Sequence, residues 1–508
     1  MLRWTGGMVT FDIAVVGNGV LGLSAALEVA RRDTGLRIAV VGTPHRDRAA
    51  TPAAGAMLNC FGEVTQYTTR HPAVAARFAL ARRALDAWPD WLARLADEAG
   101  EAAGGSALRD SHTPGTFVIL SARSGRITDE NFEAMRSALV EHGEPHEVAD
   151  PADIPGLAPC PDARPLRALY LQREGTVDAR RVLAALEAAA ATRGVQFLPA
   201  TATALVADNG TVRGVRLDDG RTLQAAQVVL AAGSMSGELA ATALPPGAVP
   251  PMLHGTGLAV LTHRDTPGGV THAVRTPNRA ATCGLHVLPS PGGHYIGATS
   301  VITPRAGAGP ELGTAHEMLR AACDQIDQQL SAAQVTAWLC GSRPIPLDCF
   351  PLLGPSHSLD GLVFATGTYR DGFHCSPVIA RYIADVLLDG STPPDKDLSW
   401  FTPERPPVQT MTVPQALDEA VAHCMDAGYE HDLRIPALLG DTHLADGLRQ
   451  RAEHLYERLP HPIALQPEII ISQLLLPARS PDETQPLTWL SDYLHAARKH
   501  YGCLDQAS

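Results

Sequence analysis

The sequence predicts an α/β protein, α+β overall. A Rossmann-like nucleotide-binding domain is interleaved with an antiparallel-sheet domain and followed by a helical extension. Three observations support this fold class. A glycine-rich turn stands between a buried strand and a helix near the start of the chain. Short strands with hairpin turns fill the middle, and helical patterns predominate from residue 401 onward.

The first unit reads strand, turn, helix, strand. Residues 11–16 (FDIAVV) form an apolar run typical of a buried strand, and residues 21–32 form an Ala- and Leu-rich helix. Residues 36–41 (LRIAVV) form the second strand. This β-turn-α-β order is the opening unit of a doubly wound sheet.

The middle of the chain alternates helices and strands. Residues 73–99 form an amphipathic stretch that we expect to break at Pro89, and residues 179–192 form a further helix. The turns DNGT and DDGR favour hairpins between neighbouring strands. Strands are predicted at 115–120, 169–172, 202–206, 212–217, 228–231, 256–262, 284–288, 294–302 and 361–366.

The later part of the chain is mainly helical. Residues 314–329 and 377–388 predict helices, and the Pro- and charge-rich stretch 389–407 predicts a linker. Within the tail, the apolar run EIIISQLLL (468–476) must be buried, against the body or in a partner. The helices predicted in the tail lie at 413–427, 444–459 and 487–500.

Composition excludes several classes of protein. The chain has 508 residues, a net charge of −13 and 45% apolar residues, so it can form a large core and has no general attraction for nucleic acid or anionic membranes. No membrane span is visible, residues 1–10 are too short for a signal peptide, and we expect a cytoplasmic protein. The nine cysteines and 20 histidines show no disulfide or metal-ligand spacing, so we assign no metal.

The glycine-rich turn GNGVLG is the strongest local signal. Gly17 permits the tight turn, Gly19 lets the backbone approach a pyrophosphate, and Gly22 lets the helix pack close to the strand. The following helix offers its unpaired N–H groups and its positive end to phosphates. We therefore predict a dinucleotide site that also includes the turn residues Asn18, Val20 and Leu21.

The second strand departs from the usual pattern. An acidic residue that would hold a ribose is expected at its end, and Gly42 stands there instead. Arg46 or Arg48 could serve a 2′-phosphate, or both could be solvated loop charges, which we favour. The ribose contact then falls to Thr43 or to the backbone.

Five segments in order resemble the D-amino-acid-oxidase superfamily of FAD-dependent oxidoreductases, in particular its glycine oxidase-like branch. They cover roughly residues 11–390, with Ala179 and Met235 replacing a usual proline and tryptophan. The segments are ATPAAGAML (50–58), EGTVDARRVLAAL (174–186), VVLAAGSMSGEL (228–239), GSRPIPLDCFPLLG (341–354) and GLVFATGTYRDGFHCSP (361–377).

The resemblance implies a discontinuous FAD-binding domain (1–60, 150–245 and 345–400). It also implies a substrate domain (61–149 and 246–344), and residues 401–508 are left as a helical extension. It implies FAD, which we expect to be non-covalent because Cys340 and Cys349 match no attachment motif. Besides the glycine turn, the implied FAD contacts are Thr43, Thr51, Ala54, Gly55, Met57, Thr203, Ala232, Gly233, Ser234, Gly367, Arg370, Gly372 and Phe373.

The resemblance also assigns the reaction. Arg343 matches the arginine that clamps a substrate carboxylate, and Arg370 matches the arginine of the loop near the flavin. His286 and Ser300 stand where the branch has a tyrosine and a methionine, and both are predicted substrate contacts. Tyr369, which precedes Arg370, is a further predicted substrate contact. We predict Arg343, Arg370 and His286 as the catalytic set, and the two replacements favour an amine more polar or larger than glycine.

The implied reaction oxidises the C–N bond of a small amino acid or secondary amine. A hydride leaves the C–H next to a neutral amine for the flavin, the imine hydrolyses to a carbonyl product, and oxygen takes the electrons to give hydrogen peroxide. Two alternatives stay open at this stage: an amine dehydrogenase with a quinone or protein acceptor, and a flavin-bearing RNA-modifying module. The expected partners are the small substrate and oxygen, without nucleic acid or membrane, in a possible homo-oligomer.

Overall fold

The computed structural model describes residues 10–101, 104–265, 268–278, 284–307, 309–389, 396–435, 440–457, 459, 461–479, 488–502 and 504. The strands are β1 (Thr10–Val16), β2 (Ile38–Val41), β3 (Met57–Leu58), β4 (Thr113–Ser121), β5 (His146–Ala149), β6 (Pro165–Thr176), β7 (Gln196–Leu198), β8 (Ala202–Asp208), β9 (Thr211–Leu217), β10 (Thr222–Leu230), β11 (Met252–His263), β12 (Ala273–Arg275), β13 (His286–Ser290), β14 (Gly293–Gly297), β15 (Val301–Thr303), β16 (Gln334–Pro346), β17 (Leu352–Pro355) and β18 (Leu362–Thr366). The helices are α1 (Val20–Arg32), α2 (Ala50–Ala53), α3 (Pro72–Ala99), α4 (Gly105–Arg109), α5 (Arg126–Glu141), α6 (Ala179–Thr192), α7 (Ser236–Ala241), α8 (Leu312–Gln325), α9 (Ser376–Asp389), α10 (Val413–Glu430), α11 (Gly440–Tyr456), α12 (Pro467–Arg479) and α13 (Thr488–Tyr501).

The first sheet has the strand order β17-β18-β10-β1-β2-β7, and the β8–β9 hairpin pairs with β10. Strands β18, β10, β1, β2 and β7 run parallel. Apolar residues continue along β1 because both of its faces are buried. Ile13 and Val15 face the helical side with α1, α6 and α9, whereas Ala14 and Val16 face the side of the hairpin.

The second sheet has the order β15-β11-β14-β13-β12-β4-β6-β3, with β16 on β11 and β5 on β6. Most of its pairings are antiparallel, and β12 with β4 is parallel. Helix α8 packs on this sheet through a separate apolar cluster. The overall arrangement is the predicted mixed α/β fold.

Two segments pair differently from the predicted domain division. The boundaries place β3 and β6 with the cofactor domain, but both strands hydrogen-bond within the second sheet. The division into domains stays a prediction.

Helix α3 is continuous through Pro89, where we expected a break. A proline inside a helix removes one backbone hydrogen bond. Here the buried face of the helix offsets that cost, because Leu85, Trp88 and Leu92 all pack into the main core. Helix α5, strand β5 and the full length of β16 have no counterpart in the sequence-based elements.

The tail forms α10, α11 and α13, which were predicted as helices, and α12, which carries the apolar run that we predicted to be buried. Ile469, Ile470, Ile471 and Leu474 are at most 5% exposed. They share one apolar cluster with Leu253, Ile302, Ile345, Leu347, Cys349 and Tyr369 of the body. No helix among the described residues is long and apolar enough to cross a membrane.

Candidate cofactor and substrate site

The glycine turn brings α1 against the ends of two strands. Gly17 has φ +117°, and a Cβ on it would lie 2.2 Å from the Ala231 carbonyl oxygen of the segment after β10. A Cβ on Gly22 would lie 1.9 Å from the Gly17 carbonyl oxygen. Only glycine allows this approach at either position. The turn therefore places the start of α1 directly over the carboxyl ends of β1 and β10.

The N-terminus of α1 opens into a large cavity. The Val20 N–H donates to Thr51 Oγ1 over 3.2 Å, which ties the helix start to α2. The other first-turn amides of a helix have no partner within that helix. Leu21 lines the cavity beside them. This end can therefore receive an anion such as a phosphate.

The cavity has a volume of about 870 Å³ and reaches from the end of β2 to the 369–373 loop. Most of the residues predicted for the site lie on its wall. They are Gly17, Asn18, Gly19, Val20, Leu21, Thr43, Thr51, Ala54, Gly55, Met57, Thr203, Ala232, Gly233, Ser234, His286, Arg343, Tyr369, Arg370, Gly372 and Phe373.

Three predicted residues do not reach that wall. Gly22 faces the Gly17 backbone, so its role is helix packing. Gly367 (φ +72°) faces Pro346 and Leu352, where a Cβ would lie 2.7 Å from Pro346 Cγ. Ser300 is buried, and its hydroxyl has no hydrogen-bond partner among the described residues. Ala298, two residues before Ser300, lines the cavity.

The structure explains why a glycine occupies position 42, directly after the second strand. A Cβ at this position would lie 2.4 Å from Asn18 Cγ, and Asn18 Nδ2 donates to the Thr43 carbonyl over 2.9 Å. The asparagine side chain therefore fills the space that a larger residue 42 would need. Arg46 also reaches here, donating to the Asn18 carbonyl over 2.9 Å and pairing with Glu187.

The interpretation that we favoured, that both arginines of this loop are solvated charges, fails for Arg46, whereas Arg48 is exposed to solvent. The Arg46 side chain is 11% exposed, and Arg48 donates to the Gly307 carbonyl. Both arginines line the cavity. Arg46 is already paired with a carboxylate, which leaves it less suited to a 2′-phosphate.

At the opposite end, Arg343 projects from β16. Its Nη1 donates to the Thr299 carbonyl over 2.9 Å. A Cβ on Gly257 of the neighbouring strand β11 would lie 2.4 Å from that guanidinium, so glycine leaves the space it occupies. Within the described chain, no carboxylate lies within ion-pair distance of Arg343. This guanidinium can therefore receive an external carboxylate.

The loop after β18 forms the facing wall. Tyr369 has φ +50° and its N–H donates to the Pro344 carbonyl over 3.0 Å, which ties the loop to the strand of Arg343. Arg370 lies 3.7 Å from Glu63. Phe373 stacks on Trp88 with a centroid separation of 5.8 Å. The loop is thus anchored at both ends around Arg370.

His286 forms the side wall as a neutral imidazole. Burial and the nearby Arg275 charge lower its pKa to about 3. Its ring stacks on Tyr295 at 5.8 Å, and its Nδ1 lies 3.3 Å from the Gly284 carbonyl oxygen. Because a carbonyl only accepts, Nδ1 carries the proton and Nε2 keeps its lone pair. Nε2 can accept a hydrogen bond from a ligand in the cavity.

Several wall residues were missed by sequence reasoning. Glu63, Glu238 and His254 line the cavity, as does Ser342, whose hydroxyl lies 3.2 Å from His254 Nδ1. Burial lowers the pKa of His254, with Glu238 partly opposing the shift. These residues occupy ordinary positions in α7, β11, β16 and a short turn. Glu238 and Ser342 lie within the quoted family segments, but a sequence pattern does not show that they face the cavity, because only the fold brings those elements together.

The cysteine thiols near the site are protonated at neutral pH. Burial raises the pKa of Cys340, which lines the cavity, and raises that of Cys349 well above its ordinary value. A thiol in this form is a weak nucleophile. The described residues contain no cluster of three His, Cys, Asp or Glu that could hold a metal ion.

The residues present fit a flavin dinucleotide. The cavity volume lies within the range of about 300–1,000 Å³ typical of ligand sites. The glycine turn and the helix end suit a pyrophosphate, and the small residues Ala54, Gly55, Gly233 and Ser234 leave flat walls beyond it. One end of the cavity can thus bind a pyrophosphate, and the other end can bind the carboxylate of a ligand.

Comparisons with known proteins agree with this geometry. A family model described as FAD dependent oxidoreductase matches residues 12–386. The chain is 28% identical over 391 residues to a glycine oxidase of Pseudomonas aeruginosa, covering 75% of this chain and 95% of the relative. It is 29% identical over 392 residues to a glycine oxidase of Geobacillus kaustophilus, covering 74% and 93%. The crystal structure of glycine oxidase from Geobacillus kaustophilus superposes with a TM-score of 0.65 at 24% identity, covering 78% of this chain and 99% of that one.

Proposed function

The chain belongs to the FAD-dependent oxidoreductase family, and we propose that it oxidises the C–N bond of a small amino acid or secondary amine that carries a carboxylate. The observation that supports this substrate class is Arg343. Its guanidinium lies in the same cavity as the glycine turn, and the described chain offers it no carboxylate. A guanidinium in such a position favours a ligand that brings its own carboxylate.

The chain's own residues would hold FAD along the whole cavity. Gly17, Gly19 and the first turn of α1 would take the pyrophosphate, and Thr43 and Thr203 lie where the adenosine would extend. The Thr51–Met57 segment and the loop of Arg370 would enclose the ring. When bound, FAD supplies the acceptor for the hydride that leaves the carbon next to nitrogen.

Arg343 and His286 would orient the substrate. Two parallel hydrogen bonds from the guanidinium fix a carboxylate, and therefore the adjacent carbon, in one place. The unprotonated Nε2 of His286 would accept from an amine N–H. A neutral imidazole also adds no positive charge that would oppose an ammonium ligand entering the cavity. Exclusion of water by Tyr295 and Tyr369 would strengthen both contacts.

The proposed products are an imine, then the carbonyl compound formed by its hydrolysis, with hydrogen peroxide from oxygen. Oxygen as acceptor, a cytoplasmic location and a homo-oligomer belong to the same proposal. The protonated thiols of Cys340 and Cys349 agree with the non-covalent cofactor.

The test is a screen of carboxylate-bearing amines on purified protein. We expect a yellow protein that releases peroxide in air with one of these substrates. Turnover only with an artificial quinone acceptor under anaerobic conditions would instead identify a dehydrogenase. A protein that retains RNA on a filter and oxidises no amine would favour the RNA-modifying alternative.

Arg343→Ala tests the carboxylate contact. We expect its KM for the carboxylate substrate to rise about 30-fold or more while FAD stays bound, since losing one partner of a buried charged contact costs about 2–5 kcal/mol. Arg136→Ala, on the exposed face of α5, is the matched control and should leave KM unchanged. An unchanged KM in Arg343→Ala would show that Arg343 does not bind the substrate carboxylate.

A further inference from the structure

Three charged side chains, one fully buried and two partly buried, lie in a row beside the substrate end of the cavity. Glu63 lies 2.7 Å from Arg275 of β12 and 3.7 Å from Arg370 of the loop after β18. The Arg275 side chain is 0% exposed. Glu63 follows strand β3 on a short turn, so the three residues come from distant parts of the sequence. Their carboxylate and guanidiniums join three separate segments of the wall.

The Glu63 carboxylate is held in one place by neutral donors as well. Asn59 Nδ2 donates to its Oε1 over 2.8 Å, and Asn278 Nδ2 donates to its Oε2. Burial alone would raise the pKa of Glu63, but the charges of Arg275 and Arg370 outweigh it and lower the pKa to about 2. The group is therefore a fixed negative charge at neutral pH.

The turn that carries Glu63 is itself pinned by a second buried carboxyl. Glu174 Oε1 accepts from the backbone N–H groups of Cys60, Phe61 and Gly62 over 2.8, 2.6 and 3.1 Å. Glu174 is 1% exposed. Three bonds from consecutive amides fix the backbone just before Glu63, so the carboxylate has little freedom to leave Arg370.

The charge balance at this end of the cavity depends on Glu63. Arg343, Arg370 and Arg275 bring three positive charges, and Glu63 brings one negative charge. The other carboxyl near Arg370 is Asp371, whose pKa is raised by burial, with Arg77 3.9 Å away. Glu63 also separates the main cavity from a small polar cavity that is lined by Arg77, Asp371 and Glu468.

We propose that Glu63 is a positioning residue that fixes Arg370 against the cavity, and that its charge sets how strongly this wall stabilises negative charge on the reduced flavin. The inference rests on the proposed function, because it needs the flavin to lie against the Arg370 loop. A negative charge near a group that becomes anionic on reduction lowers its reduction potential, and a positive charge raises it.

The experiment compares the flavin reduction potential of four variants by equilibration with a reference dye. One unit charge about 10 Å away at an effective dielectric constant of about 20 changes the reduction equilibrium about tenfold, or about 30 mV for two electrons. Glu63→Gln should raise the potential by about that amount, and Arg275→Gln should lower it. The double variant Glu63→Gln/Arg275→Gln should return near the wild-type value. Glu63→Asp, which keeps the charge, should stay near it also.

Glu98→Gln is the matched control, because Glu98 also pairs with several arginines, Arg31 at 2.8 Å and Arg94 and Arg193 at 3.0 Å each, and does not line the cavity. Its potential should equal that of the wild type. General damage to the fold cannot produce shifts of opposite sign that cancel in the double variant. If Glu63→Gln does not fold, Arg275→Gln and the double variant still give the comparison.

Two results would overturn the inference. If Glu63→Gln or Arg275→Gln binds flavin and has the wild-type reduction potential, the charge of that residue has no effect on the potential. If Glu63→Asp shifts the potential as much as Glu63→Gln does, the shape of the side chain matters and not its charge. Wild-type protein that binds no FAD would defeat the proposed function together with this inference. If the wild-type protein oxidises an amine but the variants do not show the expected potentials, the inference about Glu63 is wrong and the proposed function stands.

Discussion

At the scale of single residues, burial beside the cavity shifts the pKa of a titratable side chain far from its value in water. His286 ordinarily has a pKa near 6.5, and burial with the nearby Arg275 lowers it to about 3. The unfolded chain therefore takes up a proton at His286 before the native state does. As the pH falls below 6.5, this difference removes stability from the native state until the pH reaches about 3.

Replacing His286 with glutamine should abolish that loss. Between pH 6.5 and 5, the wild type should lose about 2 kcal/mol of unfolding free energy relative to His286→Gln, at about 1.4 kcal/mol per pH unit. Urea unfolding followed by circular dichroism at several pH values measures the difference. His316→Gln, at an exposed position on α8, serves as control and should follow the wild type. Parallel curves for His286→Gln and wild type would show that the imidazole titrates normally.

At the scale of elements, the contact of α1 with the strand ends decides whether a dinucleotide can bind. Gly22 is a packing position in this contact. A side chain there meets the backbone carbonyl of Gly17, which cannot move without opening the turn. An exposed helical glycine such as Gly447 on α11 has no atom within 4 Å of its added Cβ.

Gly22→Ala should therefore yield protein with little or no FAD and a free energy of unfolding lower by about 1–3 kcal/mol, the usual cost of overpacking. Gly447→Ala should keep FAD and leave stability unchanged or raise it by up to about 1 kcal/mol through helix propensity. The FAD content from absorbance and the melting temperature provide the readouts. Equal FAD content in Gly22→Ala and wild type would contradict the packing role.

At the scale of the whole molecule, the tail and the body share one core. The family match ends at residue 386, so helices α10–α13 lie outside it. They nevertheless pack on β11, β15 and β16, the strands beside Arg343, and on Tyr369 of the cavity wall. The Ile302 N–H donates to Ser472 Oγ of α12 over 3.3 Å, and Arg405 pairs with buried Asp348 at 2.9 Å. The tail thus supports part of the cavity wall.

Ile469→Ala tests that shared core. Ile469 is 0% exposed, so the change should cost about 2–5 kcal/mol and lower the temperature at which FAD is released together with the melting temperature. Leu444→Ala, at a side chain 42% exposed, should change stability by at most about 0.5 kcal/mol. If Ile469→Ala loses helix signal at a lower temperature than the wild type but releases FAD at the wild-type temperature, the tail unfolds separately from the body.

Local patterns predicted much of the fold, because each of those elements is encoded within one stretch of chain. The glycine turn, the helix Ala179–Thr192 and the buried run of α12 follow directly from residue type and period. The break predicted at Pro89 is wrong, because the burial of the apolar face of α3 stabilises the helix by more than one lost hydrogen bond costs. Local patterns do not predict that β6 pairs with β4, because β4 is distant from it in sequence.

The sequence by itself determined the family, the dinucleotide turn and the two arginines of the proposed reaction, since each is carried by a contiguous motif. Only the tertiary structure decided that Glu63 meets Arg275 and Arg370, that Asn18 fills the space beside Gly42, and that the tail supports Tyr369. The physical reason is that burial, charge pairing and close contact are properties of groups brought together from distant segments. A local pattern fixes a group's chemistry and backbone preference, whereas its neighbours fix its charge state and its role.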